Sequence, residues 1–155
     1  MTAKDGRQAT RASEGQNGMP LNVTILTPGR CLLKEQPCRQ IELPVAGGRI
    51  GILEEHTPLV TPLEVGEIRI LPAEGEAVQY VAVSSGLAEV TPERVLITAH
   101  AAESAEEINV ERAQAARERA EQRLRQRANL DIERAELALA RAANRLRVAR
   151  RAQAE

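Results

Sequence analysis

Residues 86–116 read GLAEVTPERVLITAHAAESAEEINVERAQAA, and the character of the chain changes inside them. Gly86 is the last of 10 glycines and Pro92 the last of 8 prolines. Tight turns draw on those two residues, so the chain stops turning sharply after Pro92. Before the change, Leu87–Thr91 and Arg94–Ala99 are apolar segments of strand length, parted by Thr91-Pro92. After it, Val110, Ala113 and Ala116 begin a stepping by three and four that marks one face of a helix. A β part followed by an α part is expected.

Working towards the N-terminus, the strand signals continue. Leu21, Val23 and Ile25 alternate with Asn22 and Thr24, the period of a half-buried strand. Further segments lie at Gln40–Val45, Arg49–Leu53, Glu67–Leu71 and Val78–Ser84. Pro28-Gly29, Gly47-Gly48, Pro72 to Gly75 and Ser84 to Gly86 separate them. Short strands at this spacing predict a β-sandwich or barrel rather than βαβ units. Residues 1–18 carry Lys4, Asp5, Arg7, Arg11 and Glu14 without an apolar stretch, so they read as a disordered tail and not a secretory signal. Their acidic residues disfavour an organelle transit peptide.

Towards the C-terminus, Val110, Ala113, Ala116, Ala120 and Leu124 form one apolar stripe. Ile132, Ala135, Leu139, Ala142, Leu146 and Ala149 form another. Gln126–Asp131 interrupts them, and Asn129 or Asp131 can cap a new helix. A short connection implies an antiparallel two-helix hairpin. Ile108-Asn109-Val110-Glu111-Arg112-Ala113 is echoed 22 residues later by Leu130-Asp131-Ile132-Glu133-Arg134-Ala135. Bias towards Ala, Arg and Glu would produce a similar echo. Either origin places Asn109 and Asp131 in equivalent N-cap positions, while Ser104 with Glu107 offers a competing capping box. The expected organisation is a tail at 1–18, a β-sandwich at 19–102 and a helical hairpin at 103–155.

Composition narrows the function. The chain has 155 residues, no Phe or Trp, and Tyr80 as its one aromatic. Base-stacking RNA modules and aromatic-cage sites are therefore excluded. The net charge of −1 gives no global field for nucleic acid or acidic lipid. No apolar run reaches the ~18 residues of a membrane span, so direct membrane insertion is not expected. Cys31 and Cys38 are too few for a disulfide framework and fit no zinc spacing; free thiols in a reducing compartment are expected, with a single disulfide as the alternative. His56 and His100 accompany no nucleophile motif, and Ser84-Ser85-Gly86 lacks the strand–elbow–helix setting of a hydrolase serine. Gly47-Gly48-Arg49-Ile50-Gly51 enters a strand rather than a helix, so it reads as a turn and not a phosphate loop. No catalytic constellation and no metal site is expected.

The arginines are more informative. Residues 19–102 carry a net −4 and residues 103–155 a net +2, with every basic residue of the latter an Arg. On the first helix Arg112, Arg119 and Arg123 fall within about 40° of one another at 100° per residue. Arg134, Arg141 and Arg145 do likewise on the second. On mechanics alone such stripes are solvated faces offset by interspersed glutamates. A polyanion between them would relieve their repulsion. The alanine-rich seam buries little area, so the hairpin is suited to docking, undocking and extending. As one rod, Val110–Arg150 would reach roughly 60 Å at 1.5 Å per residue.

Several motifs together resemble one family. Gly48-Arg49-Ile50-Gly51-Ile52-Leu53, His56-Thr57-Pro58-Leu59, Gly66-Glu67-Ile68-Arg69-Ile70 and Ser85-Gly86-Leu87-Ala88-Glu89-Val90 resemble the sandwich of the epsilon subunit of F-type ATP synthases. Arg134-Ala135-Glu136-Leu137-Ala138 and Asn144-Arg145-Leu146-Arg147-Val148-Ala149 are similar to that family's hairpin. The match runs colinearly over about residues 21–150.

The resemblance implies a non-catalytic central-stalk subunit of a proton-translocating synthase. It implies a sandwich contacting the gamma subunit and the membrane rotor ring. It implies a hairpin that folds on the sandwich or extends along gamma to the catalytic alpha/beta hexamer and restrains ATP hydrolysis. The implied location is peripheral, on the cytoplasmic face of the bacterial inner (plasma) membrane. Some members bind ATP as a regulatory ligand on the folded hairpin, through Ile or Leu, Asp, two variable residues, Arg and Ala. Here Ile108, Asn109, Arg112 and Ala113 fill that motif, with Asn109 in place of Asp and without its charge. Glu103, Arg119, Arg141 and Arg145 match the remaining ligand positions. Two other classes stay open on sequence alone: a stand-alone interaction module that dimerises through its helices, and an RNA-binding protein using the Arg-rich helices. The ten acidic residues of 103–155 argue against the latter.

Overall fold

The structure, a computed structural model, describes residues 19–126 and 131–154. The tail at 1–18 and the alternative cap Asn129 lie outside the described residues. Nine strands come first: β1 Leu21–Leu26, β2 Cys31–Val45, β3 Gly48–Leu53, β4 Leu59–Leu63, β5 Gly66–Pro72, β6 Gln79–Val83, β7 Gly86–Val90, β8 Arg94–Ala99 and β9 Ala102–Ser104. A 3₁₀ turn, Ala105–Glu107, leads into α1 Val110–Gln126 and α2 Ile132–Ala154. β9 pairs with β6 across the boundary read from sequence, so Glu103 and Ser104 belong to the sheet.

The strands pair in the order β4-β7-β8-β1-β2-β5-β6-β9, with β3 on β2. β2 is the fold's long member. Its first half pairs with β1 (Leu21↔Cys38 to Leu26↔Cys31), and its second half with β3 and β5 (Val45↔Gly48, Glu42↔Arg69). It thus passes from one layer of the sandwich to the other. Inward-facing aliphatics fill the space between, among them Leu21, Val23, Ile25, Ile41, Leu43, Ile52, Ile68, Ile70, Val81 and Ile97. β1 reads buried and half-buried in strict alternation, as its sequence pattern requires. The β2–β3 turn places Gly47 at φ 82°, in the region glycine enters without strain.

Two strands differ from the sequence expectation. Residues 31–39 form the first half of β2, although Cys31-Leu32-Leu33-Lys34-Glu35-Gln36-Pro37 shows no alternation. Glu35, at φ 47°, sits in a bulge where the β1–β2 register shifts, and its N–H donates to Thr24 Oγ1 at 3.0 Å. Leu59–Leu63 forms β4 despite Pro62. The strand lies at the end of the sheet, a position at which a strand tolerates proline.

α1 and α2 form the expected antiparallel pair. Asn109 Oδ1 accepts the Arg112 N–H at 2.9 Å, and Asp131 Oδ1 accepts the Arg134 N–H at 3.1 Å. Both predicted N-caps are therefore made, whereas Ser104 makes no side-chain cap. Ala113, Ala120, Ala135 and Ala142 are buried, as expected of the seam. Val110 and Ile132 are not: each lies in the first turn of its helix and stays 42% and 52% exposed.

Candidate functional site: the hairpin cleft

α2 and the 3₁₀ turn pack on the outer face of β6. Val81 and Val83 point from β6 into the sandwich, so Tyr80 and Ala82 point out. On that outer face a second apolar cluster gathers Ala82, Ala105, Ile108, Ala113, Leu146, Val148 and Ala149, with Tyr80 at its margin. Ile108, one of the residues implied by the resemblance, is thus a buried anchor at the foot of α1, 7% exposed.

Beside this cluster lies a cleft of about 300 Å³ lined by Glu103, Glu107, Asn109, Arg112, Ala113, Ala116, Arg119 and Arg145. β9 supplies Glu103, the first turns of α1 supply Asn109, Arg112 and Ala113, the middle of α1 supplies Arg119, and α2 supplies Arg145. Six of the eight residues implied by the resemblance therefore share one cavity. Arg141 does not line it. It lines a smaller neighbouring hollow with Ser84, Ala101, Asn144 and Arg145.

The charges in the cleft are divided. Arg145 Nε donates to Glu103 Oε1 at 3.1 Å. Glu107 accepts both arms of Arg30 at 3.1 and 2.6 Å, and this pair holds the Glu107 carboxyl below its usual range and the Arg30 guanidinium above its own. With both carboxylates engaged, Arg112 and Arg119 face the cavity with no carboxylate in ion-pair distance among the described residues. The N-terminal end of α1 opens onto the same space and adds positive partial charge. The arrangement suits an anion, and the volume lies at the lower end of small-molecule sites.

Sequence reasoning missed Arg30 and read Glu107 only as a capping-box partner of Ser104. Arg30 stands 77 residues from its partner, in the β1–β2 turn, and no local pattern announces the contact. It also missed Asn144, which is 4% exposed on α2. Its Nδ2 donates to Gly66 O at 2.7 Å and Val83 O at 3.4 Å, and its Oδ1 accepts from Arg147 Nη2 at 2.7 Å. Gly66 and Val83 are opposite one another in the β5–β6 register, so one amide clamps the helix to two strands.

Ser85 Oγ lies 3.1 Å from His100 Nδ1, and the same residues share a backbone bond from His100 N–H to Ser85 O at 3.1 Å. The pair ties the β6–β7 connection to the β8–β9 connection. Cys31 is exposed, Cys38 is buried, and both are free thiols. No group of three or more potential metal ligands occurs among the described residues, and no described helix is long and apolar enough to cross a membrane.

Comparison with known proteins gives a consistent result. Residues 20–105 match the family model of the ATP synthase delta/epsilon chain beta-sandwich domain, and residues 106–150 that of its long alpha-helix domain. The chain is similar to the ATP synthase epsilon chain of Symbiobacterium thermophilum, 45% identical over 130 residues, spanning 83% of this chain and 92% of that one. It is similar to the epsilon chain of Halalkalibacterium halodurans, 47% identical over 133 residues, spanning 84% and 98%. In fold it resembles a chain of the Euglena gracilis mitochondrial ATP synthase OSCP/F1/c-ring structure, with TM-score 0.71, 22% identity and coverage of 98% and 91%.

Proposed function

Because this chain belongs to the ATP synthase delta/epsilon family, and is thus a non-catalytic subunit of the synthase's central stalk, we propose that its sandwich couples the rotor to the catalytic head while its hairpin restrains ATP hydrolysis. In this reading the sandwich, residues 19–102 extended by β9, binds the gamma subunit and the membrane rotor ring of a proton-translocating synthase. The chain is peripheral, on the cytoplasmic face of the bacterial inner membrane. The hairpin leaves the sandwich, extends along gamma and meets the alpha/beta hexamer. The observation that carries the regulatory part is the small apolar contact between hairpin and sandwich: the docking cluster holds three large aliphatics, Ile108, Leu146 and Val148, and is otherwise alanine with Tyr80 at its margin. So small an apolar contact contributes little to holding the hairpin down.

ATP is the regulatory ligand of the folded form. Its phosphates meet Arg112, Arg119 and Arg145, with Arg141 approaching from the neighbouring hollow. Glu103 then exchanges Arg145 for ligand contacts. Bound ATP stabilises the docked hairpin by RT ln(1 + [L]/Kd). Asn109 keeps its cap but lacks the Asp charge, so affinity is lower than in relatives with Asp.

The test is a synthase assembled with the chain ending at Ser104. Gamma should still co-purify, and hydrolysis should rise. Loss of gamma refutes the division of labour; unchanged hydrolysis refutes the restraint. Calorimetry on the full chain tests the ligand: binding should weaken at least tenfold in Arg112→Ala and strengthen in Asn109→Asp. No heat at millimolar ATP in any of them removes the nucleotide from the scheme.

A further inference from the structure

Away from the cleft, at the far end of α2, the structure buries a carboxylate. Glu67 on β5 has a side chain 0% exposed. Such a group needs charge partners, since an unpaired carboxylate in the interior is strongly disfavoured. It has two, and they come from different parts of the chain. Arg49 on β3 donates Nη2 to Oε1 at 3.1 Å. Arg151 on α2 donates Nε to Oε2 at 3.1 Å and Nη2 to Oε1 at 3.4 Å. Arg49 is shared, since its Nη1 lies 3.3 Å from Glu42, which also holds Arg69 at 2.9 Å. The Arg151 guanidinium carbon also lies 5.2 Å from the centroid of the Tyr80 ring. A cation over that ring adds to the ion pair.

The placement is specific. Asn144, Val148 and Arg151 follow one another at four and three residues, so they share a face of α2. That face is distinct from the alanine seam that meets α1. Its two polar members meet adjacent residues of β5, Asn144 on the Gly66 carbonyl and Arg151 on the Glu67 carboxylate. Undocking α2 removes every bond that Arg151 makes to Glu67 and leaves Arg49, already divided between two carboxylates.

We propose that Glu67 and Arg151 form a latch that keeps α2 docked on the sandwich without nucleotide. The inference rests on the reading of the hairpin as a mobile element, and it adds a second hold remote from the cleft. Docking in this chain is then only partly ligand-dependent: the cleft governs the α1 end, and the latch governs the end of α2. Releasing the hairpin requires both to open.

The experiment is hydrogen exchange on the full chain without nucleotide, followed at the amides of residues 144–154. Glu67→Gln and Arg151→Ala should each raise exchange there about tenfold while the β1, β5 and β8 amides stay as protected as before. The double variant should add little to either single one. Arg150→Ala, an exposed neighbour, is the control and should change nothing. Arg151→Ala alters no residue of the sheet, so it reads the latch even if Glu67→Gln unfolds the sandwich. Unchanged α2 exchange in Arg151→Ala overturns the latch, as does full additivity of the two substitutions. A separate arm adds ATP to Glu67→Gln: protection that returns supports the cleft as a second hold, and protection that does not return counts against the nucleotide reading alone. Hydrolysis by a synthase carrying Arg151→Ala is the further check on mobility, because a hairpin that is never released in the complex leaves that rate unchanged even when the isolated chain shows the latch.

Discussion

Replacing Asn144 with Ala should undock the hairpin while sparing the sandwich. The side chain is buried, donates to Gly66 O at 2.7 Å and to Val83 O at 3.4 Å, and accepts from Arg147. Only the first of those donations is short enough to count in full. Truncation removes that bond and leaves the Gly66 carbonyl facing a helix without a donor. A buried polar group stripped of its partner costs about 1–3 kcal/mol, so docking should weaken about 5- to 150-fold. Part of that is recovered if water enters beside the new methyl, which places the expectation near the lower half of the range. Asn144→Asp is the sharper variant. It keeps the shape but sets a carboxylate against two carbonyl oxygens, and docking should fall further. The assay is a distance measurement between spin labels, one at exposed Glu89 on β7 and one at exposed Arg150 on α2, in the full chain. The distance of the docked state should lose population in Asn144→Ala and more in Asn144→Asp, with the melting of the β-sheet signal unchanged. If Asn144→Ala keeps the docked population, the clamp contributes nothing and the hairpin is held by its apolar cluster alone. If the sheet melts with the hairpin, the two parts are one cooperative unit and the reasoning fails.

Two further outcomes follow from the sandwich itself. Gly86→Ala should destabilise it by about 1–3 kcal/mol, seen as a lower Tm, because a Cβ there would overlap the Thr98 carbonyl oxygen and come within 2.8 Å of Ala99 Cα. Burial pushes the Cys38 thiol up to about 11 from 9.0, so its neutral form is favoured in the fold. That contribution to stability is whole below about pH 9 and disappears as pH rises towards 11. Denaturant melts should show this alkaline loss, Cys38→Val should flatten it, and at pH 8 iodoacetamide should modify Cys31 but not Cys38 in the native chain.

The layout of strands and then helices was legible because it rests on periodicity and on where Gly and Pro stop. β1, β5, β7 and β8 alternate or run apolar between clear turns, and the caps Asn109 and Asp131 announce themselves by type and position. The first half of β2 was not legible because its bulge at Glu35 breaks the period of two, and its strand character comes from pairing with β1. β4 was hidden by Pro62, which only an edge position tolerates. In the cleft, residues on α1 and α2 could be read from helical spacing and the family motif. Arg30 and Glu107 could not, since a contact across 77 residues is made by tertiary packing. Asn144 was hidden for a different reason: a stripe of apolar residues picks out one helix face, and α2 uses two, the second held by polar side chains.

The passage of β2 between layers bears on how the molecule carries load. Two stacked sheets joined only by loops resist sliding through the interdigitation of their side chains alone. Here a single covalent strand of 15 residues is hydrogen-bonded into both sheets. Sliding one sheet over the other requires bending that strand or unzipping a ladder from it. A twist applied to one face therefore reaches the other with little lost as internal give, and the sandwich behaves as a stiff collar.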